Sequence, residues 1–324
     1  MGDSKTVLIT GATGFIGREL CQRMLVDGWS VYGTVRNSKD CDRLPFGTRP
    51  VLLASIGQDT LWETIIGPAT VVMHLAARVH VMRDRNDDPL SEYRVVNTLG
   101  TERLARAAAA CGVRRFVYVS SIKVNGESTL LPFEEKDPVA PGDQYAISKW
   151  EAEQRLWEIG NRTGLEIVII RPPMVYGPGV KGNFLRLLKL IDRQWPLPFR
   201  GVANKRSLVS LHNIVDFLAC IAIHPKAAHE LFFVSDGCDL STEDLIKCLS
   251  TALGKTPRLF RFPMPLFRVL ARIMGQQEAL QRLTGSLQVS THKAHQQLGW
   301  QAPQTIEEGM RSVAHWYTSG YHPI

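Results

Sequence analysis

Tyr145 and Lys149, in the stretch QYAISKW, stand four residues apart, so on a helix they share one face. An ammonium beside a phenol can stabilise phenolate and bring the tyrosine towards a working range for proton transfer. By itself this spacing is common and also describes an ordinary surface pair. A second feature points the same way. The run VYVSSIKVNG ends in hydroxyls, Ser120 and Ser121, where a reacting oxygen would need a donor.

The residues TVLITGATGFIG place Gly11, Gly14 and Gly17 between a β-branched run and an apolar-periodic helix. Gly11 permits a tight turn, Gly14 lets the backbone approach a pyrophosphate, and Gly17 lets helix pack on strand. In that context the spacing predicts a dinucleotide site rather than a bare turn. An acid at the end of the second strand would accept from the 2′-hydroxyl of NAD; here Thr34, Val35, Arg36 and Asn37 stand instead. A guanidinium can clamp a 2′-phosphate and stack on adenine, so NADP(H) is favoured, with NAD(H) the alternative. Lys39 and Ser38 could assist Arg36, whose other reading is an exposed strand-end cation.

These residues need a scaffold, and the first half supplies its rhythm. TVLIT, FIGRELCQRMLVDG, WSVYGTV, PVLLAS, DTLWETIIG and TVVMHLAA alternate strand-like and helical patterns, as in βαβ units on a parallel sheet. A long helix around 90–111, a strand at 114–121, a helix over about 143–162 and a strand at 166–172 continue it. Beyond Pro173 the texture turns to Pro/Gly-rich loops and isolated helices, with one strand-like run, ELFFVSD, at 230–236. The stretch LFRFPMPLFRVLARIMG, residues 259–275, is apolar, proline-broken and basic. A membrane-surface helix would look like this, but a packed helix of the second half is the expected outcome.

Composition narrows the field. A chain of 324 residues with 44% hydrophobic content can bury a large core. Its six cysteines show no CxxC and no metal-ligand spacing, so they read as reduced cytoplasmic thiols and no metal is expected. No secretory h-region precedes TVLIT, and no apolar stretch is long enough to insert in a membrane. The net charge of +7 suits an acidic ligand; because the basic residues are dispersed, nucleotide phosphates are expected rather than nucleic acid.

Taken together, TGATGFIG, HLAA at 74–77, NTLGT at 97–101, VSS at 119–121, YAISK at 145–149, RPPMVYGPG at 171–179 and LGWQAP at 298–303 resemble the extended short-chain dehydrogenase/reductases. The similarity is to their nucleotide-sugar epimerase, reductase and dehydratase branch, and it covers nearly the whole chain. It implies an α/β fold with a doubly wound, Rossmann-like parallel sheet. Residues 1–173 would bind NADP and carry the catalytic groups; residues 174–324 would be mainly a smaller α/β substrate-binding region, partly interleaved with that core.

The resemblance implies Tyr145 as general acid/base, Lys149 as its electrostatic partner and ribose ligand, and Ser121, rather than Ser120, as the active-site hydroxyl. It implies a cofactor site of Gly11, Gly14, Phe15, Ile16, Gly17, Arg36, Leu75, Ala76, Ala77, Tyr145, Lys149, Pro172 and Val175. Ser55 and Ile56 replace the family's usual Asp-Leu pair near adenine. Asn97 resembles a buried asparagine that supports the active-site helix. Asn183 and Arg206 fall where the family meets the diphosphate of a UDP-sugar, though either could be ordinary surface polarity. A homodimer through the 90–111 and Tyr145 helices is implied as well, but ARAAAAC can equally be internal packing.

Ile122 and Lys123 stand where 4,6-dehydratases carry an acidic pair, which disfavours dehydration. Arg36 and the similarity of ARVHVMRD to UDP-4-keto-6-deoxy-hexosamine 4-reductases favour an NADPH-dependent nucleotide-sugar ketoreductase. A UDP-hexose 4-epimerase is second and a reductase of non-nucleotide ketones third. A non-catalytic NADP sensor is the alternative from another class, set against the presence of Ser121, Tyr145 and Lys149.

Overall fold

The structure is a computed structural model and describes residues 5–79 and 88–320. Strands β1 (Thr6–Thr10), β2 (Ser30–Val35), β3 (Arg49–Leu52), β4 (Val71–His74), β5 (Arg115–Val119) and β6 (Glu166–Arg171) lie in one sheet. Two short strands follow, β7 (Met174–Tyr176) and β8 (Leu208–Ser210), paired parallel to one another in a sheet of their own. The last strand, β9 (Glu230–Phe233), rejoins the large sheet, which runs β3-β2-β1-β4-β5-β6-β9 with every pair parallel.

Helices α1 (Phe15–Val26), α2 (Pro89–Tyr93), α3 (Gly100–Ala110) and α4 (Gln144–Thr163) serve this sheet; a π-turn over Arg94–Leu99 joins α2 to α3. Then come α5 (Gly182–Asp192), α6 (Leu211–Ile223), α7 (Thr242–Ala252), α8 (Met264–Ile273), α9 (Gln277–Thr284), α10 (His292–Leu298) and α11 (Ile306–Thr318). The sheet is covered on both faces, which is why its strands read as unbroken apolar runs. In β1, Val7 and Ile9 enter a core with Leu20, Met24, Ile214 and Phe217, whereas Leu8 enters another with Leu104, Ala105 and Leu156. That alternation fixes register, since a one-residue slip would exchange the two cores.

A third core, around Tyr176, Phe184, Leu188, Leu249 and Met310, holds the smaller region together. The two regions interleave. ELFFVSD supplies the seventh strand of the large sheet, and α6 packs on α1 beneath it. Its apolar pattern marks a strand, but only the tertiary pairing with β6 says which sheet takes it.

Two expectations are corrected. DTLWETIIG forms only a 3-10 turn, Trp62–Thr64. Gly57 and the left-handed Gly67 with Pro68 leave too short a span for helix nucleation, and the fully buried Trp62 anchors the turn instead. The 259–275 stretch does form a helix, α8, but it is packed on one side only: Phe267 lies against the third core and Ala271 is buried, whereas most of its other residues are exposed. Of the alanine run, Ala105, Ala107 and Ala108 are spent on the internal core.

Candidate active site

The chemistry-bearing residues gather at the carboxyl ends of the parallel strands, around the β1/β4 position where the strand order reverses. Gly11 follows β1 with φ +70, a left-handed conformation that suits glycine, and a Cβ there would stand 2.9 Å from the Ala76 nitrogen. A Cβ on Gly17 would stand 2.1 Å from the Gly11 carbonyl oxygen, so α1 can begin this close to β1 only with glycine. Helix α1 opens at Phe15 behind Gly14, with no side-chain cap and no acid in its first turn. Its first N–H groups and its dipole therefore suit an anionic diphosphate, and the cradle fits a dinucleotide.

His74 pins the neighbouring strands together. Its Nδ1 lies 2.7 Å from Thr10 Oγ1 and its Nε2 2.9 Å from Thr101 Oγ1. Burial, with the Lys149 charge adding to it, pushes its pKa down to about 3, so the ring is a neutral structural link. Thr10 Oγ1 also accepts from the Ala76 N–H over 3.2 Å, which holds Leu75, Ala76 and Ala77 beside the glycine turn.

At the adenosine end, Arg36, Asn37, Ser38 and Lys39 are exposed just beyond β2. Arg43 joins them: its guanidinium donates to the Thr13 carbonyl over 3.3 Å and to Asp40 over 3.1 Å. A second arginine thus reaches the glycine loop, and the nearby Asp40 is already paired. Ser55 is exposed after β3, and Ile56 fits against Gly100, where a Cβ would come within 2.6 Å of its Cγ2.

Asp143 caps α4 by accepting from the Ala146 N–H over 2.7 Å, which sets Tyr145 and Lys149 in the first two turns. Lys149 donates to the Val119 carbonyl over 2.7 Å and lies 4.2 Å from the centre of the Tyr118 ring. Tyr145 meets Tyr93 edge to face at 6.2 Å. Instead of a phenol lowered by its lysine, burial dominates both groups. Burial, together with Asp143 and Tyr93, holds the Tyr145 phenol above its ordinary range, while burial pulls Lys149 down to about 7 against the opposing pull of Glu153. The phenol is therefore protonated at neutral pH, as a proton donor should be.

The two serines separate clearly. Ser120 is buried and its hydroxyl is bound to Glu153, whose carboxylate also pairs with Arg171. Arg171 in turn donates to Asn125 Oδ1 over 2.8 Å. Ser121, partly exposed, caps the short turn Ile122–Val124 by accepting from the Lys123 N–H over 3.3 Å. The Pro172 carbonyl accepts from the Ile122 N–H over 3.1 Å, which ties the end of β6 to this turn; Val175 lies in β7 just beyond it.

Asn97, in the π-turn, brackets Arg78: its Oδ1 accepts from the Arg78 N–H over 2.8 Å and its Nδ2 donates to the Arg78 carbonyl over 3.0 Å. Nδ2 also reaches Ser148 Oγ at 3.0 Å, so this amide fastens the chain after β4 to α4. The Arg78 guanidinium faces Glu92 and the Tyr93 ring. His80, which the same stretch ARVHVMRD would bring towards the substrate, lies outside the described residues.

Arg206 is largely enclosed and donates to the Gly285 carbonyl over 3.1 Å, while Asn183 is exposed in the first turn of α5. Sequence reading missed the rest of this basic cluster. Arg282 of α9 comes 3.8 Å from Glu127, a carboxylate 3.0 Å from Lys123. Lys123 is also 2.5 Å from Asp143. No local motif marks Arg282. Glu153 was findable, because it stands one helical turn beyond Lys149 on the same face. Among the described residues no cluster could hold a metal ion, and the six cysteines form no disulfide.

The NAD dependent epimerase/dehydratase family matches residues 7–232. The chain belongs to that family. It is an enzyme of the extended short-chain dehydrogenase/reductase class. Family membership accounts for the glycine cradle and for the chemistry-bearing residues at the strand ends. A UDP-glucose 4-epimerase of Vibrio cholerae is 43% identical over 316 residues, covering 96% of this chain and 94% of its own. The N-acetyl-alpha-D-glucosaminyl-diphospho-ditrans,octacis-undecaprenol 4-epimerase of Escherichia coli O157:H7 is 29% identical, covering 94% and 92%. Among solved structures, UDP-glucuronic acid 4-epimerase from Bacillus cereus in complex with NAD superposes with a TM-score of 0.78 at 19% identity, covering 98% and 99%. At that identity the likeness is one of fold.

Proposed function

We propose that this family member reduces the C4 ketone of a nucleotide-linked sugar, a UDP-4-keto-6-deoxy-hexosamine, with NADPH as the favoured cofactor. The observation that carries this reading is the adenosine-end corner. Arg36 occupies the place of the acid that selects NAD, and Arg43 is brought against the glycine loop beside it. A nicotinamide dinucleotide held in this cradle would supply the hydride chemistry.

The chain's own residues do the rest. Gly11, Gly14 and Gly17 would admit the diphosphate of the cofactor to the N-terminus of α1. Ser121 Oγ would donate to the ketone oxygen and fix its orientation. Tyr145 Oη would give its proton to that oxygen as negative charge develops there. Lys149 would hold the ribose and stabilise the phenolate left behind, and the Tyr118 ring and the Val119 carbonyl position its ammonium. Arg206, helped by Arg282, would hold the substrate diphosphate, a planar cation matching two anionic oxygens.

A second reading, a UDP-hexose 4-epimerase, is favoured by the Vibrio cholerae relative. The two differ in net redox change and in cofactor. Titration of the protein with NADPH and with NADH, followed by nicotinamide fluorescence, tests the first reading. Tighter NADPH binding that Arg36→Ala removes supports it. Tighter NADH binding, unchanged in that variant, would make Arg36 an ordinary surface cation and favour the epimerase.

A further inference from the structure

A helix of a water-soluble region ordinarily turns its apolar stripe inward. Helix α8 turns only part of it. Phe267 packs against Phe199 and Phe262, and Ala271 is buried one turn later. Beside these contacts, Leu266 is 49% exposed, Val269 53%, Leu270 41%, Ile273 77% and Met274, at the C-cap, 70%. These positions recur at intervals of three and four, so they form one continuous outward stripe. Phe260, 41% exposed, lies on the segment leading into the helix.

Along the chain segment that carries the stripe, the charge has one sign. From residue 256 to residue 277 the chain contains Arg258, Arg261, Arg268 and Arg272 and no Asp or Glu. Arg268 and Arg272, one helical turn apart, lie together on one side of the stripe, beyond Val269. Arg200, Arg261 and Arg268 line a cleft of about 630 Å³ beside α8, with Phe262 and Met264 among its walls. Guanidinium groups over an open cleft next to exposed aliphatic side chains suit an anionic headgroup above acyl chains. A symmetric pairing with a second copy would set these arginines against their own images, because a two-fold interface uses the same patch on both sides.

We propose that α8 is a membrane-docking helix whose outward stripe, Leu266, Val269, Leu270, Ile273 and Met274, enters the surface of an anionic bilayer while Arg261, Arg268 and Arg272 meet the lipid phosphates. Among the described residues no helix is long and apolar enough to cross a membrane, so the contact is peripheral. Thr284, at the end of α9, lines the same cleft, so docking brings the Arg206 and Arg282 end of the site close to the bilayer. This inference does not depend on which sugar the enzyme reduces.

The test is co-sedimentation of the full chain with vesicles of phosphatidylcholine alone and of phosphatidylcholine mixed with phosphatidylglycerol. The chain is expected to pellet with the mixed vesicles and to be released by added salt. Val269→Asp with Ile273→Asp should abolish pelleting, and Arg268→Glu with Arg272→Glu should weaken it about tenfold or more, because each basic residue near an anionic surface contributes about 1 kcal/mol. All four side chains are exposed, so unchanged thermal melting of the variants certifies folding. Three results would overturn the proposal: no pelleting with either vesicle, pelleting indifferent to these substitutions, or a dimer in solution that Val269→Asp with Ile273→Asp dissociates.

Discussion

Lys149 reaches back from helix α4 to donate to the carbonyl oxygen of Val119, 2.7 Å away, at the end of the strand that delivers Ser121. One hydrogen bond thus sets the distance between the element carrying the hydroxyl donor and the element carrying the phenol. Because Lys149 is buried, its charge is costly, and its pKa falls from 10.5 to about 7. A folded pKa below the unfolded one means that the unfolded chain binds more protons between these values, so stability rises with pH through this window. Cys21 acts in the opposite sense above its ordinary value of 9.0, where burial raises its thiol. Between about pH 7 and 9 the wild-type chain should therefore gain thermal stability relative to Lys149→Met, measured without cofactor by calorimetric melting. Parallel pH profiles for the two proteins would show that Lys149 is not desolvated.

Tyr145→Phe removes the proposed proton donor and leaves the cradle untouched. Turnover should fall by about 10²–10⁴-fold, the range for loss of a general acid, with dinucleotide affinity little changed. Loss of both together would mean that the phenol holds the cofactor rather than serving the reaction.

Gly17→Ala would place a Cβ 2.1 Å from the Gly11 carbonyl oxygen. Backbone cannot give way as a flexible side chain can, so about 1–3 kcal/mol of stability should be lost, with dinucleotide binding. Thermal melting and fluorescence titration report the two losses separately.

Glu153→Ala would strip the buried Arg171 of its carboxylate and Ser120 of its acceptor. Breaking a buried pair from one side costs about 3–5 kcal/mol. Replacing Ser120 with Ala instead should leave turnover nearly intact, because its hydroxyl faces Glu153 and not the site. If Ser120→Ala matched the loss in Ser121→Ala, the division of labour between the two serines would be wrong.

The parts of this molecule that local physics dictates were legible in the sequence. Gly11, Gly14 and Gly17 are demanded by a turn and a close approach within a few residues, and Tyr145 and Lys149 by one turn of helix. What escaped was set by distant contacts. Arg282 meets Glu127 across a long separation in sequence, from the other region of the chain, the π-turn that aims Asn97 has no sequence signature, and β9 finds its sheet only by pairing with β6. The stretch around Trp62 misled because apolar periodicity is shared by helices and short buried turns. Helix α8 misled because periodicity reveals an apolar face without revealing what covers it.

Arg36→Asp should reverse the proposed preference for NADPH. Hydrogen bonds to charged groups contribute about 1.5–3 kcal/mol, so NADPH binding should weaken tenfold or more while NADH binding holds or improves. Arg36→Ala with Arg43→Ala should weaken NADPH binding further than either change alone, provided both cations serve the 2′-phosphate.

Net reduction of the nucleotide-linked ketone would show in nicotinamide absorbance over time. Purified protein would be mixed with a UDP-4-keto-6-deoxy-hexosamine and either NADPH or NADH. Stoichiometric consumption, faster with NADPH, is expected, with a product carrying a C4 hydroxyl. No net consumption, with UDP-hexose isomers interconverting in the same preparation, would contradict it and make the enzyme an epimerase.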